Sequence, residues 1–81
     1  MKKPDEIELM RAVLDWDQRG KRERILELPE IAHMPDKRVY GLIAKWDRKG
    51  WWDYGVSLLC GWLTDKGRTA LKEMVAKYEG G

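Results

Sequence analysis

The segment DKRVYGLIAKWDRKGWWDYGVSLLCGWLT, residues 36–64, decides the predicted fold because its two halves have different hydrophobic periodicities. Four apolar residues of the first half recur at intervals of three and four: Val39, Leu42, Ile43 and Trp46. This spacing places them on one face of an α-helix. Asp36 is a residue type that caps a helix start, and Gly50 is a typical stop. We therefore expect a helix over residues 36–49.

The second half of the segment alternates between residue types and is rich in Trp and Tyr, which favours a β-hairpin. We expect an outgoing strand from about Trp51 to Tyr54, a tight turn through Gly55 to Ser57 and a return strand ending near Leu63. Thr64 can then cap a last helix that buries four residues: Leu71, Met74, Val75 and Tyr78.

The first 35 residues add further short elements. Periodic apolar residues predict a helix from about Asp5 to Arg19, ended by Gly20. Ile25 and Leu26 are consistent with a brief edge strand, and LPEIAHM, residues 28–34, predicts a short second helix that Pro35 ends. The predicted order is α-β-α-α-β-β-α, a mainly α protein with a small β-hairpin, in the α+β class.

Composition limits the function classes. The chain has 81 residues, of which 43% are hydrophobic and 37% charged, so we expect one folded domain over residues 1–81. Its net charge of +2 is too small for nucleic-acid binding by bulk attraction, so such binding requires locally concentrated charge. A single cysteine, Cys60, excludes an internal disulfide and suits a reducing compartment. The residues MKKPDEIEL contain no apolar run typical of a signal peptide, and no stretch is long enough to cross a membrane. The expected location is the cytoplasm.

Paired helices followed at once by a hairpin form a helix-turn-helix with a wing. LPEIAHMPDKRVYGLIAKWDRKGWW, residues 28–52, resembles the paired helices of the winged helix-turn-helix superfamily. LLCGWLTDKGRTALKEM, residues 58–74, is similar to the strand and terminal helix of its MarR- and PadR-type members, which often read L-T-x-x-G-x-x-x-L. The resemblance covers about residues 25–75, and the overall size is similar to that of small phage and prophage winged-helix proteins. It implies a winged-helix fold, DNA binding and transcription regulation.

Three features depart from the family pattern. The long helices by which MarR-type proteins dimerise have no counterpart in the sequence. The turn at residues 33–35 lacks glycine, and the wing, Gly55 to Leu58, carries no Arg or Lys.

The face opposite the apolar stripe of the 36–49 helix is the predicted DNA contact. Its members are cationic, small or aromatic: Lys37, Arg38, Tyr40, Gly41, Ala44, Lys45 and Arg48. Long cations suit phosphates, and small residues let the backbone approach base edges. Gly41 is otherwise costly, because glycine inside a helix is about 1 kcal/mol less favourable than alanine. Two alternatives stay open: a merely solvated charged face, and a Gly41 that relieves crowding against the preceding helix.

The stretch RGKRER, residues 19–24, supplies a second basic group. Lys21, Arg22 and Arg24 precede the predicted second helix and are candidates for holding the DNA backbone. The alternative is a basic loop that balances the acidic start of the first helix.

The two faces of the hairpin raise the question of a second surface. In winged-helix domains the apolar residue after the recognition helix, here Trp51, and the Leu before Thr, here Leu63, normally pack inward. This assignment predicts an outer face of Trp52, Tyr54, Trp62 and, as a further candidate, Cys60. Three explanations stay open for that face: cover by a helix of the same chain, a homodimer contact, or binding of a protein or unpaired bases. Trp16, on the wide apolar arc of the first helix, belongs to another candidate interaction surface.

The sequence offers no support for catalysis, and we expect no enzymatic activity, no cofactor and no metal site. His33 and Cys60 are too few to build a closed zinc site, and no triad or carboxylate pair can be assembled. The predicted function is a DNA-binding transcription regulator whose partner is double-stranded DNA. The alternative is a winged-helix module that binds protein and no DNA.

Overall fold

The computed structural model describes the backbone of residues 5–80 and the side chains of residues 5–78. Over this part of the chain, three α-helices combine with one two-stranded antiparallel sheet. In chain order the elements are α1 (Asp5–Gln18), α2 (Asp36–Lys49), β1 (Trp52–Asp53), β2 (Trp62–Leu63) and α3 (Asp65–Gly80). The prediction of a mainly helical α+β protein is confirmed.

Helix α2 begins and ends at the predicted residues. Pro35 takes an extended conformation at the N-cap position and makes no side-chain capping bond, so the prediction that Asp36 caps the helix is wrong. Asp36 is instead the first helical residue, where its negative charge complements the helix dipole. At the other end Gly50 adopts φ 78°, and the Trp51 N–H donates to the Trp46 carbonyl at 2.9 Å. This left-handed glycine with its backbone bond across the last turn ends α2 sharply.

Residues 19–35 contain two 3₁₀ turns instead of the predicted strand and second helix. Ile25–Glu27 and Pro29–Ile31 each form one such turn. The Leu28 N–H donates to the Ile25 carbonyl, and the Met34 N–H donates to the Ile31 carbonyl, and both bonds span three residues as in a 3₁₀ turn. The edge-strand prediction is wrong because the described sheet holds only β1 and β2. The helix predicted over residues 28–34 is reduced to a single short turn.

The hairpin has shorter strands and a longer connection than predicted. Trp52 pairs with Leu63 and Asp53 with Trp62, so the ladder has two rungs. The connection includes a 3₁₀ turn at Leu58–Cys60, and the Trp52 indole N–H donates to the Leu58 carbonyl at 2.8 Å. A Cβ at Gly61 would overlap the Asp53 carbonyl and the Trp52 indole, so glycine is required for this close approach.

The prediction that Trp52 lies on the outer face of the hairpin is wrong, while Trp51, predicted to pack inward, is only partly buried against the core. Trp52 is buried, with 2% of its surface exposed, and its ring lies 6.0 Å from that of Trp46 at 52°. Trp51 is half-buried and lies under the Lys49 ammonium, 4.6 Å from the ring centroid. The cause is the position of β1, which begins at Trp52 because Trp51 completes the end of α2. A one-residue shift reverses every side chain of a strand.

Thr64 joins α2 to α3. Its hydroxyl donates to the Gly50 carbonyl at 2.7 Å and accepts from the Gly67 N–H at 3.1 Å. The second bond is the predicted cap of the last helix. The Thr64 N–H also donates to the Trp51 carbonyl at 2.9 Å, so the chain returns to the end of α2 after the hairpin.

One hydrophobic cluster links all of these elements. Trp46 and Trp52 lie within it together with buried residues of α1, the 3₁₀ turns and α3. Its most completely buried side chains are Leu9, Met10, Val13, Ile25, Leu28, Ile31, Val39, Ile43 and Trp46. Leu71 is buried as predicted, while Met74, Val75 and Tyr78 are half-buried against the cluster. No described helix is long and apolar enough to cross a membrane.

Candidate nucleic-acid interface

Helix α2 has two chemically distinct sides. The apolar stripe at Val39, Leu42, Ile43 and Trp46 is buried against the rest of the chain. The α2 outer face, as we call it, consists of the predicted contacts Lys37, Arg38, Tyr40, Gly41, Ala44, Lys45 and Arg48. Five of these residues are exposed, and Ala44 and Lys45 are half-buried. Because the stripe fixes the rotation of the helix, this face is directed to the outside.

Gly41 lies in the middle of this face with open space around it. A Cβ built at Gly41 would meet no heavy atom within 4 Å beyond the helix's own backbone. The alternative that Gly41 relieves crowding against the preceding segment is therefore wrong. The described fold gives no steric reason for a residue that costs the helix about 1 kcal/mol relative to alanine.

Four cations on the α2 outer face divide into two pairs. Lys45 Nζ lies 2.9 Å from Glu6 Oε2, and Arg38 Nε lies 3.7 Å from Asp5 Oδ2, so both contact the first turn of α1. Lys37 and Arg48 have no ion pair within residues 5–78. These two cations at the ends of the face are the ones available to an external anion.

Glu6 is the most constrained acidic residue beside this face. Its Oε2 accepts hydrogen bonds from Lys45 Nζ and from the buried Trp46 indole, each at 2.9 Å. Burial alone would raise the pKa of the Glu6 carboxyl. The two hydrogen bonds, with the charges of Lys45 and Lys49, outweigh burial and hold that pKa below its ordinary value. Glu6 is thus a fixed negative charge at neutral pH. The acidic composition of its turn is visible in the sequence, but its position against α2 is not.

The basic segment, residues 19–24, presents its cations unequally. Lys21 has φ 56°, and its Nζ lies 5.4 Å from the Trp16 ring centroid, 5.1 Å from that of Trp62 and 3.4 Å from Asp17 Oδ1. Arg24 lies 4.0 Å from Glu27. Arg22 is exposed and has no ion pair among the residues that the structure describes. Lys21 therefore joins the segment to the hairpin. Of the three residues predicted to contact the DNA backbone, Arg22 is the one without an ion pair among the described residues.

A groove of about 620 Å³ separates the basic segment from the tip of the hairpin. Its lining combines cations with apolar residues and includes Lys21, Arg22, Ile25, Leu26, Leu59 and Cys60. The sequence did not indicate this groove, because it depends on how the loop before β2 folds back.

The predicted interaction surface is only partly exposed. Trp16 has 3% of its surface exposed and Trp52 has 2%, so assigning these two residues to an interaction surface is wrong. Trp16 is held by an indole hydrogen bond to the Glu23 carbonyl, and Trp52 belongs to the core. Trp62 and Tyr54 are exposed to 39% and 38%, Val56 is fully exposed, and Cys60 is exposed.

Asp5, Glu8 and His33 form the one group of metal-ligating side chains in the described part of the chain. Their potential ligand atoms all lie within 4.8 Å of one another. His33 Nε2 contacts Glu8 Oε2 at 3.1 Å, and Asp5 faces Arg38, so each side chain already has a partner. His33 thus ties the turn after Ile31 to α1, and we assign it no metal role.

No protein-family model, curated protein or solved structure matches the chain.

Proposed function

We propose that the protein is a small winged-helix DNA-binding protein that regulates transcription by placing α2 in the major groove of duplex DNA. The observation that carries the proposal is the division of α2 into a buried apolar side and an exposed side with cations at both ends. In the proposed topology the 3₁₀ turns at Ile25–Glu27 and Pro29–Ile31 occupy the place of the first helix of the pair, and the β1–β2 connection is the wing.

Three properties of the α2 outer face support DNA as the partner. Lys37 and Arg48 are eleven positions apart, roughly 16 Å along the helix axis, so they can reach phosphates on both rims of a groove. Gly41 leaves space between them for close approach of the backbone to base edges. Tyr40 has 47% of its surface exposed and can contact bases beside that gap.

The test is a titration of labelled random-sequence duplex at two salt concentrations, read by fluorescence anisotropy. We expect affinity that falls steeply with salt, and a large loss in the double variant Lys37→Glu/Arg48→Glu. Each lost phosphate contact reduces the slope of log K against log salt by about 0.9, so this variant loses roughly 1.8. Its fold should survive, because both residues are exposed.

The matched control is Lys72→Glu/Lys77→Glu, which changes net charge equally on the exposed side of α3. We expect its affinity to stay close to that of the wild type. Equal losses of duplex affinity in both double variants would show that the effect comes from overall charge and not from the α2 outer face. Absence of salt-dependent binding by the wild type at low ionic strength would refute the proposal.

A second candidate is a protein-interaction module that binds no DNA. It is favoured by the exposed aromatic residues Tyr54 and Trp62 beside the uncharged tip of the hairpin. The partner of that surface is then another protein or a second copy of the chain. Sedimentation of the wild type and of Trp62→Ala separates these cases. A wild-type dimer that dissociates on the substitution supports a homodimer, whereas a monomeric wild type and a monomeric variant exclude it.

A further inference from the structure

The first turn of α1 lies against the α2 outer face and is strongly acidic. Glu6 pairs with Lys45 at 2.9 Å and Asp5 pairs with Arg38 at 3.7 Å, across more than 30 residues of chain. Two of the four cations on the face are thus neutralised within the protein. Only Lys37 and Arg48 remain unopposed among the described residues of that face.

Glu6 cannot easily move away from this position. The buried Trp46 indole donates to the same oxygen that contacts Lys45, and Glu6 itself is only 18% exposed. A surface carboxylate on a long side chain normally rotates away from an approaching phosphate. The Trp46 bond fixes this one at the edge of the α2 outer face, where it repels phosphate and competes for Lys45.

We propose that Asp5 and Glu6 are specificity-determining residues that weaken binding to DNA of arbitrary sequence by withholding Arg38 and Lys45 from phosphates. The inference rests on the proposed function and concerns the same face. Binding to arbitrary sequence depends almost entirely on the number of phosphates neutralised, whereas specific binding adds contacts to base edges. Carboxylates beside the face therefore remove a larger fraction of the binding free energy for DNA of arbitrary sequence than for a specific site.

The decisive variants are Asp5→Asn, Glu6→Gln and the pair combined. Each removes a negative charge with little change in shape, and the Gln amide oxygen can still accept the Trp46 bond. The matched control is Glu8→Gln, which removes the same charge from the same helix end but contacts His33 and no cation of the α2 outer face. Thermal denaturation of each variant confirms that the fold is intact.

The assay is the titration of random duplex with these variants. Releasing Lys45 to a phosphate should steepen the log–log salt slope by about 0.9 and raise affinity about eightfold at 0.1 M monovalent salt. The double variant should gain more than either single variant, and Glu8→Gln should gain less than Glu6→Gln. A structural role for Glu6 alone would lower the melting temperature without steepening the salt slope.

The outcomes separate this inference from the function on which it rests. Wild-type binding that depends on Lys37 and Arg48, but is equal in Glu6→Gln and Glu8→Gln, overturns the inference and leaves the proposed function in place. Lower affinity in Glu6→Gln also overturns it, because Glu6 would then be positioning Lys45 for DNA. No duplex binding by the wild type or any variant refutes both.

Discussion

Replacing Gly41 by alanine should stabilise the protein and, under the proposed function, weaken the binding of duplex DNA. Position 41 is inside α2, exposed, and surrounded by open space, so the added methyl group meets nothing within the chain. Alanine is about 1 kcal/mol more favourable than glycine in a helix interior. For a protein of this size, 1 kcal/mol corresponds to a rise in melting temperature of about 4–8 °C.

The same methyl group would stand in the middle of the α2 outer face. With the helix backbone close to base edges, the methyl group would hold the whole face, including its phosphate contacts, away from the duplex, and affinity should fall by roughly tenfold, which corresponds to about 1.4 kcal/mol. Opposite signs for stability and affinity are the informative result, because a substitution that damages the fold lowers both. The assays are thermal denaturation followed by circular dichroism and fluorescence anisotropy with labelled duplex.

Ala76→Gly is the matched control for this prediction. Ala76 is exposed inside α3, so the reverse substitution should cost about 1 kcal/mol and leave DNA affinity unchanged. A Gly41→Ala protein with no gain in melting temperature would contradict the observation of open space. A stabilised protein with wild-type affinity would show that DNA does not approach the α2 backbone at this point.

Two further predictions concern stability. Trp52→Ala should lower the free energy of unfolding by about 3–5 kcal/mol in a denaturant titration, because Trp52 fills the core beside Trp46 and its indole bonds to the hairpin connection. Trp62→Ala, on the outer face of the same hairpin, should lower it far less. Acid should destabilise the protein partly through Glu6, because the pKa of Glu6 is lower in the folded than in the unfolded state. The contribution of Glu6 to the free energy of unfolding is therefore complete above the ordinary pKa of 4.5 and is lost as the pH falls through the folded-state pKa. Melting temperatures of the wild type should therefore fall more steeply with acid than those of Glu6→Gln, and parallel curves would contradict this assignment.

The elements that the sequence predicts well are those governed by local chemistry. The bounds of α2 follow from Pro35 before it, Gly50 after it and a strong apolar stripe between them. The capping of α3 by Thr64 is likewise readable, because its hydroxyl bonds to an N–H only three residues away. In each case the deciding interactions lie within a few positions of one another.

The features that the sequence does not predict depend on register and on distant contacts. Trp51 and Trp52 are chemically identical neighbours, and which of them enters the core depends on the backbone bond that ends α2 and on the pairing of Trp52 with Leu63. The strand expected at Ile25 has no partner in the described sheet, which local residues cannot reveal. The Glu6–Trp46 bond joins positions 40 apart, so the acidic edge of the α2 outer face emerges only from the packed structure.

The hydroxyl of Thr64 has a consequence for how the hairpin can vary. By bonding to both Gly50 and Gly67, it holds the end of α2 and the start of α3 together across the thirteen residues between Gly50 and Thr64. The tip, where Val56 is fully exposed, lies away from this junction, whereas Trp52 and Leu63 at the base of the hairpin belong to the core. Peptides grafted at Val56 should be tolerated with both helices left in place, which makes this position suited to labels, epitopes or added recognition loops.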